Sequence, residues 1–201
     1  MDDVVERPVM TTLAFEGSGG GGGTPALLLP SGEGNREHSF MSLRIAVLTV
    51  SDAGARGQRT DSSGDAIVAW AEARGHALVA RALVPDETEE IGARLRGWAD
   101  ADAADLVLTT GGTGLTARDV TPEATRAILD KEAPGIAEVL RLTVYPRFHR
   151  AALSRGVAGV RGKTLVVNLP GSPGGVRDGL AVLDDLVIHA VELIRGTKTG
   201  H

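Results

Sequence analysis

The sequence predicts a single doubly wound α/β domain, three layers deep, with a mostly parallel sheet. Three observations predict it. The runs 44–50 (RIAVLTV), 106–108 (LVL) and 163–168 (KTLVVN) are almost continuously apolar and rich in β-branched residues, as strands buried on both faces are. Between them lie stretches with apolar residues at helical spacing. Two of the runs stop at glycine-rich loops, Gly111–Gly114 and Pro170–Gly175. Strand, glycine loop, helix is how open α/β sheets place a ligand beyond the carboxyl end of a strand.

Residues 1–40 read as a flexible, glycine-rich tail, and 41–201 as the α/β domain. Gly17–Gly23 is almost pure glycine, and such a segment behaves as a flexible coil. Met41 begins a sequence that reads like a natural start, so the tail is either a real extension or a start assigned too early. Residues 44–50 form the first strand, with Ser51 and Asp52 at its carboxyl end. The polar stretch 53–63 reads as a loop, and Asp61, Ser62 and Ser63 offer a cap for a helix over 64–74 that presents Ile67, Trp70 and Ala71. Gly75 ends it. A second strand covers 77–84. Pro85-Asp86-Glu87-Thr88 then breaks the chain and caps a helix carrying Ile91, Leu95 and Trp98.

The third strand is the Leu106 run. After its glycine loop, Thr121 reads as a helix cap with Pro122 in the first turn, and that helix runs to about Asp130. Pro134 opens an apolar segment from Ile136 to about Phe148. Residues 150–156 read as a short helix or turn, 157–161 as a short extended piece and 163–168 as a further strand. One closing helix, 175–195, carries an apolar stripe that includes Leu180, Leu183, Val187 and Val191.

Composition narrows the function. Aromatic residues make up only 3%, so the core must be built from Val, Leu, Ile and Ala. The absence of cysteine excludes disulfides, thiolate metal sites and a cysteine nucleophile. The five histidines show no ligand spacing. Net charge is −5, of which −4 falls in residues 1–40, so the body carries no basic footprint for nucleic acid. No apolar run approaches the roughly 20 residues of a membrane span, and no signal-peptide pattern opens the chain. The expected location is cytoplasmic.

In a parallel sheet the carboxyl ends of the strands share one edge, so four loops should converge: Ser51-Asp52, Pro85-Asp86-Glu87, Gly111–Gly114 with Asp119, and Pro170–Gly175. Two are suited to backbone contact with a phosphate. Asp52, Asp86 and Asp119 could supply oxygens to a Mg²⁺ ion held together with substrate phosphates. The chemistry would be phosphoryl or nucleotidyl transfer, driven by positioning and charge neutralisation. Each aspartate also has a plain structural use: Asp52 as a turn residue, Asp86 as a helix cap, Asp119 as a surface partner of Arg118 or Arg126. No Walker A lysine motif is present, and no GxGxxG fingerprint joins a predicted strand to a helix.

The string TTGGTGLTARDVTPEAT at 109–125 closely resembles the signature of the MogA/MoaB family of molybdenum-cofactor biosynthesis proteins, to which the molybdopterin-binding domains of gephyrin-like proteins are similar. VSD at 50–52, DSSG at 61–64, PDE at 85–87, LSR at 153–155, AGVRG at 158–162 and NLPGSP at 168–173 follow the same order. The resemblance implies the molybdopterin-binding fold, with ATP and molybdopterin as substrates and Mg²⁺ as cofactor. In the MogA branch it implies adenylylation of molybdopterin with release of pyrophosphate; in the MoaB type it implies binding without efficient transfer. It implies that Asp86 and Asp119 are catalytic and place the metal. It implies a ligand loop of Gly111, Gly112, Thr113 and Gly114, and a second binding segment with Gly171 and Ser172. Ser51, Asp52 and Ser154 follow as further binding candidates. It also implies a homotrimer or hexamer, with residues 136–148 as a candidate interface, and handover to a molybdenum-insertion enzyme. Gly174 and Gly175 depart from the basic or amide residue frequent after GSP in relatives, a contact that Arg177 could supply.

Deletion of residues 1–40 is expected to leave the thermal unfolding midpoint nearly unchanged. A large drop, measured by calorimetry on the shortened chain, would mean that these residues pack on the domain.

Overall fold

The computed structural model describes residues 41–197, and the expected tail lies outside the described residues. The first apolar run is strand β1 (Arg44–Val50), and the Leu106 run is β3 (Leu106–Thr110), every residue of which is buried. Strand β2 (Ala77–Val84) is parallel to β1 and forms one edge. Its exposed Leu78 and Val79 mark that edge position. Lys131–Glu132 forms a two-residue strand, β4, which sequence periodicity could not reveal at that length. Strands β5 (Ala158–Arg161) and β6 (Thr164–Leu169) complete a six-stranded sheet in the order β2-β1-β3-β6-β5-β4. The four strands from β2 to β6 run parallel; β5 is antiparallel to both of its neighbours.

Side chains alternate across the sheet, and each face has its own core. Ile45, Val47, Leu106, Leu108, Leu165 and Val167 face one side. They meet helix α2 (Ser62–Ala73) through Ile67 and Trp70, and the C-terminal helices through Leu180, Leu183, Val187 and Val191. Ala46, Leu48, Val107 and Val166 face the other side. There they meet α3 (Thr88–Asp100) through Ile91 and Leu95, and α4 (Thr121–Arg126) through Ala124. Helix α5 (Pro134–Val144) adds Ile136 and Leu140 to the first core. This is the doubly wound, three-layer arrangement that the alternation of elements predicts.

The departures are local. The loop expected over 53–63 begins with a helical turn, α1 (Asp52–Ala55), because the Ser51 hydroxyl accepts from the Gly54 amide at 3.1 Å. Thr121 does not cap α4. Val120 holds the cap position, while the Thr121 hydroxyl donates to the Gly111 carbonyl at 2.9 Å. Helix α4 also stops at Arg126, short of Asp130. Helix α5 stops at Val144, and a 3-10 turn, His149–Leu153, follows. The single closing helix is two, α6 (Pro173–Leu183) and α7 (Val187–Arg195). The break has a cause: the Asp184 carboxylate is tied to α2, accepting from Trp70 Nε1 at 2.7 Å and from the Arg74 guanidinium. An Asp-Asp pair is also a poor helix former, since its short side chains compete for the backbone.

Register carries this architecture to the site. Val50 pairs with Val84, Thr49 with Thr110, and Thr110 with Leu169. The four parallel strands therefore end level, and the residues that follow them start from one edge.

Leu108 is fully buried between β-sheet and helices. Leu108→Ala is expected to cost about 2–5 kcal/mol, the usual range for a leucine truncated in a core. Denaturant unfolding with unchanged slope checks it.

Candidate active site

The level strand ends bring two glycine segments into contact. Gly111 has φ +98°, and a side chain there would put its Cβ 2.1 Å from the Val50 carbonyl oxygen. A Cβ on Gly171 would lie 3.1 Å from the Gly111 Cα. Only glycine permits both the backbone angle and the approach. The packed ends are then cross-tied. Thr110 Oγ1 donates to the Pro170 carbonyl at 2.7 Å, and Ser63 Oγ donates to the Gly171 carbonyl at 2.8 Å.

Above this contact is a polar crevice of about 220 Å³. Ser51, Asp86, Gly111, Gly112 and Gly171, all expected at the site, line it together. Arg59, Thr49, Asp61 and Thr110 line it too, and sequence reasoning did not single these out. Asp61 is a cap as expected: its Oδ1 accepts from the Gly64 amide at 2.9 Å, and its Oδ2 from Thr49 Oγ1 at 2.8 Å.

Asp86 does not cap α3; Glu87 occupies that position. Instead Asp86 Oδ2 accepts from the Asp52 amide at 2.8 Å, and the Asp86 amide donates to Asp52 Oδ1 at 3.1 Å. Asp86 Oδ1 would be 3.0 Å from a Cβ on Gly112, so the carboxylate sits against the glycine loop. Burial pushes the Asp86 carboxyl above its ordinary range. The Asp52 amide opposes that shift, and the Asp52 charge adds to it. Asp52 is the opposite case, held below the usual range first by its bonds to Arg118 and then by the Asp86 amide.

Asp119 pairs with neither Arg118 nor Arg126. Its Oδ2 accepts from the Thr116 amide at 2.8 Å and the Thr116 hydroxyl at 2.6 Å, and it stands 2.9 Å from where a Gly114 Cβ would be. Burial pushes its carboxyl up, but the Thr116 hydroxyl and amide, the Gly114 amide and Arg155 together hold it low. Arg155 is the residue that pins this loop. Its amide donates to the Thr113 carbonyl at 2.9 Å and its Nε to the Gly114 carbonyl at 2.7 Å, while its terminal nitrogens reach Glu123 and the Asp119 carbonyl. The sequence signal for Arg155 is its place in the LSR segment, next to Ser154.

Ser154 and Ser172 are not in the crevice. They line a second, mainly apolar cavity of about 420 Å³ between α5, α6 and the 3-10 turn, with Leu140, Val144 and Phe148. Ser172 also caps α6, its hydroxyl accepting from the Gly175 amide at 3.1 Å.

Among the described residues, no group of three or more His, Asp or Glu side chains gathers to hold a metal by itself. Asp86 Oδ1 has no protein partner among the described residues. One or two carboxylates beside a phosphate-binding loop is the setting in which Mg²⁺ is usually held, with its other ligands supplied by phosphates and water. The donor set fits a Mg²⁺ ion whose remaining ligands are phosphate oxygens and water.

Residues 46–189 match a family described as a probable molybdopterin binding domain. A solved structure of the molybdopterin biosynthesis enzyme MoaB from Thermus thermophilus is 51% identical, covering 77% of this chain and 97% of its own, with a TM-score of 0.73. A molybdopterin adenylyltransferase of Helicobacter pylori is 38% identical over 162 residues, covering 78% of this chain and 90% of its own length. The molybdenum cofactor synthesis protein cinnamon of Drosophila melanogaster is 41% identical over 154 residues; these span 76% of this chain but only 26% of that larger protein.

Gly111→Ala tests the central contact. Left-handed backbone in a non-glycine residue costs about 1–3 kcal/mol, and the clash with Val50 adds to it, so a loss above about 3 kcal/mol is expected. Gly57 has φ +68° with open space around it. Gly57→Ala should therefore show only the backbone cost, in the same denaturant titration.

Proposed function

The chain belongs to the molybdopterin-binding domain family of molybdenum cofactor biosynthesis, and from that premise we propose that it is a molybdopterin adenylyltransferase. The observation that carries the reading is the Asp86 carboxylate, fixed by the Asp52 amide against a glycine loop at the sheet edge. In the reaction, a terminal phosphate oxygen of molybdopterin attacks the α-phosphorus of ATP. A new P–O bond forms, the bond to the β-phosphate oxygen breaks, and pyrophosphate leaves with the electron pair. The product is adenylyl-molybdopterin.

Such a transfer needs alignment and charge neutralisation more than a protein nucleophile. The backbone of Gly111–Gly114 supplies donors for phosphate oxygens. Arg59, on the crevice wall, is placed to meet phosphate charge. Asp86 and Asp119 would hold Mg²⁺, which supplies Lewis-acid stabilisation of the phosphates when bound. Ser51 and Gly171 in the crevice and Ser154 and Ser172 in the second cavity complete the proposed binding surface, with Thr113 buried in the glycine loop beside it. We also read the protein as a cytoplasmic homotrimer or hexamer that passes its product to a molybdenum-insertion enzyme. Exposed Leu142, Tyr145, Phe148 and Leu153 along α5 and the following turn support an assembly surface.

A second reading, binding of molybdopterin without efficient transfer, is the one the resemblance implies for the MoaB type, and the Thermus protein that carries that name is 51% identical to this chain. Pyrophosphate release from Mg-ATP separates the two. Release that requires molybdopterin and is lost in Asp86→Asn is expected, and Asp119→Asn should keep its fold while turnover falls by at least about 100-fold. Tight molybdopterin binding with no release would favour the second reading, and neither would remove both.

A further inference from the structure

Asp52 and Asp86 stand at the ends of adjacent strands, and each accepts from the backbone amide of the other, at 3.1 and 2.8 Å. Two carboxylates this close repel one another unless a cation is at hand. Arg118 provides it. Its Nε donates to Asp52 Oδ2 at 3.0 Å, and one terminal nitrogen donates to Asp52 Oδ1 at 2.9 Å and to Glu87 Oε1 at 2.8 Å. Both Asp52 oxygens are thereby occupied by protein donors. Neither Asp52 nor Arg118 lines the crevice, whereas Asp86 does.

We propose that Arg118 and Asp52 form a positioning clamp for Asp86, and that neither touches the substrates. The forked guanidinium holds the Asp52 carboxylate flat, which aims its Oδ1 at the Asp86 amide. The Asp52 amide, at the head of α1, takes Asp86 Oδ2. With that oxygen held, the orientation of the Asp86 carboxylate is set, and Oδ1 is the one left for the crevice. Arg118 also precedes Asp119 directly in the chain. One guanidinium thus joins the turn that carries Asp119 to the loops that carry Asp52, Asp86 and Glu87, and sets the spacing of the two proposed catalytic carboxylates. Lysine in place of Arg118 would keep the charge but lose the fork.

The kinetic consequence rests on the adenylyl-transfer reading; the structural one does not. The experiment therefore has two readouts, on the full chain and on Arg118→Gln, Arg118→Lys, Asp52→Asn and the double variant Arg118→Gln/Asp52→Asn. The first is amide hydrogen exchange at Asp52 and Asp86, followed by NMR without metal or nucleotide. Both amides are expected to lose protection in Arg118→Gln and to recover part of it in Arg118→Lys, with the thermal midpoint nearly unchanged because Arg118 is exposed. The second is pyrophosphate release. A fall in kcat of about 10–100-fold is expected, as for other residues that orient a first ligand, with KM for ATP unchanged. The double variant should be no worse than the poorer single one. Unchanged exchange at Asp52 and Asp86 would overturn the proposal, as would a raised KM for ATP at full kcat, or single effects that simply multiply. If the unaltered protein releases no pyrophosphate, the adenylyl-transfer reading falls, and the exchange experiment alone decides the clamp.

Discussion

The site depends on a contact between backbones. Strand β3 turns at Gly111 directly against the last carbonyl of β1, and Gly171, just after β6, packs on the same glycine. A methyl group at Gly111 would meet the Val50 oxygen at 2.1 Å, so the parallel strand ends can close on one another only because no side chain intervenes. The β1 loop, the first glycine loop and the second glycine loop meet there for that reason. Without the contact, a sheet of this order would still bury its two cores, but its carboxyl edge would be an ordinary row of loops.

Behind the contact is a buried polar network that holds it. Asn168 donates to Thr109 Oγ1 at 2.9 Å and Thr125 Oγ1 at 3.0 Å, and its carbonyl accepts from the Val157 amide at 3.2 Å. Thr125 in turn donates to the Thr121 carbonyl at 2.8 Å, and the Thr121 hydroxyl donates to Gly111. The Thr121 amide closes on the Gly112 carbonyl at 3.1 Å. These groups are buried, and each finds its partner. A network of this kind rigidifies because leaving any member unpaired would cost more than the bond itself contributes. The glycine loop has the freedom of glycine in its dihedral angles and little freedom in position.

What was legible in the sequence follows from what each signal measures. Uninterrupted apolar runs reported strands buried on both faces, and β1, β3 and β6 lie where those runs lie. Glycines reported places of close approach, and Gly111 and Gly171 are such places. The break at Asp184–Leu186 was not legible, because the stripe from Leu180 to Val191 keeps helical spacing across it; the cause is a tertiary bond to Trp70. Thr121 looked like a cap because threonine followed by proline commonly is one, but its hydroxyl had a longer-range partner. The grouping of Asp86 with the glycine loop could be argued from strand order. The roles of Arg118 and Arg155 could not, since long side chains reach partners that no local pattern encodes. Arg155 reaches Gly114 and Asp119 from a segment more than thirty positions away.

The arrangement of acids also constrains the chemistry. Asp61 and Asp86 line the crevice, Asp52 and Asp119 stand outside its lining but near Asp86, and most of the oxygens of these four are already used. Asp61 is committed to Gly64, Thr49 and Arg81. Asp52 is committed to Arg118 and the Asp86 amide, and Asp119 gives one oxygen to Thr116. A cation carrying no ligands of its own would find few oxygens to complete its shell. A divalent ion that brings phosphate oxygens with it needs only one or two more. On the adenylyl-transfer reading we propose, a site poor in free carboxylate but walled by glycine backbone would take metal and polyanion together. Burial of Asp86 acts in the same direction: its charge is costly until a cation compensates it. On the proposed reading, the oxygens left for a metal–nucleotide complex are set by commitments made elsewhere in the fold, chiefly by the arginine that occupies Asp52 and the amide that turns Asp86.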